Sequence, residues 1–92
     1  MCVLLWARPA KEHELRIYED RVLALLPDHG GRVLQRVRPV GGSDEPTEVQ
    51  LLQFPDEGAL DGFMADDRRT ALTEERDEAI ERTEVLRVNV VS

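Results

Sequence analysis

The sequence predicts an α+β domain in which one four-stranded antiparallel sheet carries two helices on a single face. Three observations lead there. Four stretches read as strands: Cys2 to Ala7, Arg32 to Arg38, Glu48 to Phe54 and Glu84 to Val91. Two helical regions lie between them, so the order is β-α-β-β-α-β, the split βαβ or ferredoxin-like arrangement. A sheet backed by helices on one side leaves its other face open. Residues from a set including Val49, Leu51, Val85 and Val91 would line that face, and they are too apolar to stay wet at this size. A second copy of the chain is the expected cover.

Each element has its own warrant. Cys2 to Ala7 is a nearly continuous apolar run, as suits a central strand. Lys11 to Leu26 is helical in period: Leu15, Tyr18, Val22, Leu25 and Leu26 form one stripe, widened by Ile17 and Leu23. Glu12, Glu14, Glu19 and Asp20 fall mostly on the other side. Pro27 removes a backbone donor, and Gly30-Gly31 supplies a residue that tolerates positive φ. Arg32 to Arg38 carries the charges of an edge strand, with Arg36 and Arg38 on one face. The run Gly41-Gly42-Ser43-Asp44-Glu45-Pro46 reads as a hairpin connection, because no helix start or lysine follows to make it a phosphate loop.

After the third strand, Asp56 is a suitable N-cap for a helix with Ala59, Leu60, Phe63 and Met64 on one face. Asp66-Asp67 breaks or re-caps that helix, which resumes through Leu72, Arg76, Ala79 and Ile80. Glu74, Glu78 and Arg82 make a solvated ladder. The last strand alternates, with Leu86, Val88 and Val90 on one face and Val85, Arg87, Asn89 and Val91 on the other.

Ninety-two residues make a single domain spanning 1–92. A chain this short buries about 60–65% of the surface its unfolded form exposes, so association would add stability. One cysteine, Cys2, excludes an intrachain disulfide and suits a cytoplasmic setting. The plain reading of Cys2 is a small apolar strand residue. The apolar start ends at Arg8-Pro9, too soon for a signal peptide, and no stretch approaches a membrane span. A net charge of −7, from 19 acidic against 12 basic residues, disfavours nucleic acid and anionic membrane as partners.

For chemistry, Arg87 and Asn89 stand out because they interrupt a valine-rich strand, where an arginine can bind a carboxylate or enolate. The competing reading leaves this polar face to solvent, or pairs Arg87 with an acidic residue across the dimer. Gln50 and Gln53 point to opposite faces of the third strand, so at least one lies near the open side. Trp6 either positions a planar ligand or sits in the core with its indole N–H satisfied. The hydroxyl of Tyr18 is within range of a pocket mouth. His29 at a helix end suits a capping role, and His13 an exposed one. No spacing calls for a metal or a cofactor, since Glu12-His13-Glu14 would scatter its ligands around a helix.

Across Tyr18, His29-Gly30-Gly31-Arg32-Val33-Leu34, Phe54-Pro55 and Ala71-Leu72, the chain resembles small domain-of-unknown-function proteins of the dimeric α/β-barrel superfamily. Antibiotic-biosynthesis monooxygenases, muconolactone isomerases and stress-responsive barrel proteins are more distant relatives. The resemblance implies a homodimer whose two sheets face each other, with a small organic ligand held between sheet and helices. It departs from the family at Arg68-Arg69, where an aromatic residue is common, and at Pro27. It supplies no agreed catalytic residues. The expected function is therefore small-molecule binding through Trp6, Gln53, Arg87 and Asn89, with cofactor-free oxygenase or isomerase chemistry as the enzymatic form. The alternative is a non-catalytic accessory or interaction dimer with a filled interior.

Overall fold

A computed structural model describes residues 1–42 and 44–91, so Ser43 of the predicted hairpin connection lies outside the described residues. Strands β1 (Cys2–Ala7), β2 (Arg32–Val37), β3 (Glu48–Gln53) and β4 (Ile80–Leu86) form one sheet in the order β2-β3-β1-β4. Every pairing is antiparallel. The apolar β1 and β3 are central, and the charged β2 lies at an edge, as the sequence predicts.

Helix α1 (Glu12–Leu23) buries Leu15, Tyr18, Glu19, Val22 and Leu23 against the sheet. Those positions follow the i, i+3, i+4, i+7, i+8 rule of an amphipathic helix. Two corrections follow from them. Ile17 is exposed and does not widen the stripe, whereas Glu19, expected on the solvent side, is only 5% exposed. The chain then passes through a 3-10 turn, Leu26–His29, and reverses at Gly30, whose φ of 71° places it in the left-handed region.

The second helical region is broken into α2 (Glu57–Met64), α3 (Asp67–Thr70) and α4 (Thr73–Ala79). Asp56 caps α2 by accepting the backbone N–H of Ala59 at 2.8 Å. Asp66 caps α3 through the N–H of Arg68 at 2.8 Å, so the paired aspartates re-cap the helix. Asp66 also meets His29 Nε2 at 2.8 Å. His29 thus ties the 3-10 turn to the helical break, with its ring edge-on to Phe63. It does this in place of capping its own helix end. Arg68 first, then His29, hold the Asp66 carboxyl well below the usual carboxylate range.

Helix α4 stops at Ala79, and Ile80 already has extended backbone, so the last strand starts four residues before the predicted Glu84. Arg82, expected to continue the Glu74-Glu78 ladder of a helix, belongs with Glu81 and Glu84 to this strand. On an edge strand the same charges alternate, and Arg82 and Glu84 emerge on the open face. Arg87 to Val91 lies beyond the described strand.

Directly paired residues share a face. The helix side of the sheet therefore carries Val3, Leu5, Glu48, Gln50, Leu52, Thr83 and Val85. The other side carries Cys2, Leu4, Trp6, Val37, Val49, Leu51 and Leu86. Val85 pairs with Val3, so it belongs to the helix side and not, as the sequence suggested, to the open one. The shortest dimension of the molecule is 16 Å, which leaves room for two layers and no cover on the second face.

Two substitutions check the local devices. Asp56→Ala removes the α2 cap and is expected to lower stability by about 1 kcal/mol in urea unfolding, with Asp56→Ser close to wild type. Gly30→Ala forces an L side chain into the left-handed region, with its Cβ 3.1 Å from Pro55 Cγ. Its expected cost is about 1–2 kcal/mol, read the same way.

Candidate functional site

Between the helix side of the sheet and the helices lies a cavity of about 200 Å³. Val3, Leu5 and Leu52 form its floor, and Val22 and Phe63 belong to its roof. These residues are there because β1 and β3 alternate and α1 and α2 each turn one apolar face inward. Into this apolar frame project Tyr18 and Glu19 from α1, Gln50 from β3, Arg69 from α3, Arg76 from α4 and Thr83 from β4.

The polar groups are connected. The Gln50 amide nitrogen donates to Glu19 Oε1 and to Glu48 Oε2, each at 2.7 Å. Glu48 is fully buried, and it accepts from Arg36 Nε at 3.0 Å and from Arg36 Nη2 at 3.2 Å. Arg38 stands 3.3 Å from the same carboxylate, and Arg36 reaches on to Asp20 at 2.7 Å. A continuous polar path thus runs from the cavity to the β2 edge. Arg36 lies on the edge strand, whereas Arg38 stands one residue beyond its end; both neutralise a buried carboxylate as well as meeting solvent.

Burial pushes the Glu19 carboxyl above its ordinary range. The Gln50 hydrogen bond opposes this, the Glu48 carboxylate adds to it, and Arg36 and Arg69 counter it weakly. Burial likewise raises the Tyr18 hydroxyl, against the pull of Arg69. The cavity therefore contains a carboxyl group whose proton affinity is raised by burial.

Arg69 is under-satisfied. Its Nε is buried and has no hydrogen-bond partner among the described residues. Its Nη1 makes one 3.3 Å bond to the Met64 carbonyl, and its Cζ lies 5.6 Å from the Phe63 ring centroid. Arg76 donates to Thr83 Oγ1 at 3.1 Å.

The four residues singled out from the sequence are not brought together. Trp6 is on the open face, where the register sets Arg82 opposite it with the guanidinium 4.4 Å from the ring centroid. Its indole N–H donates to the Asp44 carbonyl at 3.3 Å, so the donor is satisfied although the ring is outside the core. Gln53 shares that face and accepts from Arg32 Nε at 2.6 Å. Arg87 pairs with Glu57, and together with Asn89 it borders a separate, more open groove of about 410 Å³ beside Phe54 and Leu60. Sequence reasoning missed Glu19, Arg69 and Arg76. For Glu19 the signal was present: it stands four residues from both Leu15 and Leu23, inside the apolar stripe.

Linkage fixes the sign of a pH effect. Because the folded state raises the Glu19 pKa, its favourable contribution is complete below the ordinary glutamate value and is lost as pH rises through the elevated one. Glu19→Gln keeps an acceptor for Gln50 and cannot ionise. The urea midpoint of wild type should fall, relative to the variant, on going upward from about pH 4.3. Parallel profiles for the two proteins would show that this carboxyl is not the titrating group.

No family model matches the chain, and no curated protein does. Solved structures do share its fold. A protein of unknown function from Rhodopseudomonas palustris, RPA0582, superposes with a TM-score of 0.79 at 17% identity, covering 99% of this chain and 80% of that one. Its methylated form gives a TM-score of 0.78. PA3566 from Pseudomonas aeruginosa gives 0.74 at 13% identity, over 99% of this chain and 91% of that one. At these identities the likeness is one of fold.

Proposed function

We propose that this chain is a homodimeric α/β-barrel protein that binds a small organic molecule between its sheet and its helices. The observation that carries the reading is the 200 Å³ cavity, apolar on most sides with several polar groups converging on it. A non-catalytic module with a filled interior would leave no such volume. In this reading the ligand meets Glu19, Gln50, Arg69 and Arg76. Trp6 and Gln53 belong to the dimer face, and Arg87 and Asn89 border an outer groove.

The second copy covers the open face. Leu4, Val49 and Leu51 form an apolar centre there on β1 and β3, with Gln35 on one edge strand and Arg82, Glu84 and Leu86 on the other. Apolar centre and polar rim are the anatomy of an interface, and a surface of mixed charge can meet its own image about a two-fold axis. The fold shared with the bacterial proteins above is compatible with membership of the dimeric α/β-barrel superfamily. Cofactor-free oxygenase or isomerase chemistry is the enzymatic form of this reading, and Glu19 is the cavity group suited to hold or move a proton.

Native mass spectrometry of freshly purified protein tests both parts. The expected species is a dimer, and a small mass carried with it would be the ligand. Leu51→Asp places an unpaired carboxylate in the interface, at a cost of several kcal/mol. It should yield monomer or insoluble protein. A wild-type monomer, or a soluble Leu51→Asp dimer, would overturn the proposed assembly.

A further inference from the structure

We propose that the cavity selects a small anionic ligand, a single planar ring bearing a carboxylate or phenolate oxygen, and that the Arg69 guanidinium is its counter-charge. This rests on the reading of the cavity as a ligand site and adds its chemical class. Size limits the ligand first. A dry cavity of roughly 150 Å³ accommodates benzene, so the 200 Å³ here accepts one ring with one or two substituents.

Charge selects next. Among the described residues Arg69 has no carboxylate within salt-bridge distance, and its Nε lacks any acceptor. That is unusual in a chain with 19 acidic residues, most of whose other arginines are ion-paired. Arg76 adds a second positive charge to the same lining, and its nearest carboxylate is Asp77 at 3.7 Å. The one carboxyl in the lining, Glu19, is already engaged by Gln50. The cavity is therefore positive inside a protein whose net charge is −7. A guanidinium on an apolar wall favours a planar oxyanion, which it can meet with two parallel N–H donors. The Phe63 ring beside Arg69 supplies a flat surface for the ring of such a ligand.

The test is isothermal titration of the intact protein with three isosteric probes: benzoate, benzyl alcohol and benzylamine. Benzoate should bind at least about tenfold more tightly than benzyl alcohol, the increment of one charge-assisted hydrogen bond, and benzylamine should not bind. Arg69→Gln, with its fold checked by circular dichroism, should reduce benzoate to the level of benzyl alcohol, and Arg69→Lys should recover part of the difference. If Arg69→Gln does not fold, Arg76→Gln is expected to weaken benzoate and leave benzyl alcohol unchanged. Equal binding of benzoate and benzyl alcohol would overturn the anion preference and leave the cavity as a ligand site. Benzoate binding unaffected in a folded Arg69→Gln would overturn the role of Arg69. If none of the three probes binds, the ligand-site reading fails with it.

Discussion

Gln50 has two carboxyl groups to satisfy with one amide, and the arrangement of the layers follows from that demand. It stands on β3, paired with Val3 on β1 and Arg36 on β2, with its side chain on the helix side. Glu19 and Glu48 both lean on its nitrogen. Buried carboxyls are costly unless hydrogen-bonded, and a partly satisfied network is worse than an apolar core. The rotation of α1 is therefore constrained: Glu19 has to face the sheet, which brings Leu15, Tyr18, Val22 and Leu23 inward with it. The register of β2 is constrained as well, because Arg36 reaches Glu48 from opposite Gln50. The irregularity between Val33 and Gln35 re-aims the strand before that point.

The helical layer gains its character from being interrupted. A single uninterrupted helix would turn one apolar stripe to the sheet. Here Asp66 ends one segment and caps the next, while Arg68, His29 and the Asp66 carboxyl hold the break together. Short segments α3 and α4 then bring Arg69 and Arg76 over the sheet. Space and positive charge thus arise at the same place, and the neighbouring Arg68 and Arg69 supply the clamp and the cavity cation.

The open side obeys a different constraint. Ninety-two residues provide one helical layer, and the sheet they cover on one face shows apolar residues on the other. The cation–π contact between Arg82 and Trp6 shelters one end of that surface, while Leu51 and Leu86 flank Cys2 at the other end of β1. The asymmetry is what the proposed reading builds on: it assigns the open face to a partner copy and the helix-covered face to a ligand.

Element order, antiparallel sheet, central and edge strands, the Asp56 cap and the Gly30 reversal were legible in the residues, because each depends on local periodicity or a local backbone demand. The strand pattern also implied an uncovered face, although it assigned Val85 to the wrong side. That error arose because alternation along a strand sorts its residues into two faces without saying which of them meets the helices. Pairing with β1 decides between them, through the match of Val3 with Val85 and Trp6 with Arg82. The cavity was not legible for the same reason. Trp6, Gln53, Arg87 and Asn89 stand out along the chain as interruptions of apolar runs, but Glu19, Arg69 and Arg76 matter through convergence. Three helices and a sheet must pack before a surface-looking glutamate and two ordinary arginines share one space. Sequence determines which faces are apolar, and packing alone determines which charged groups those faces enclose.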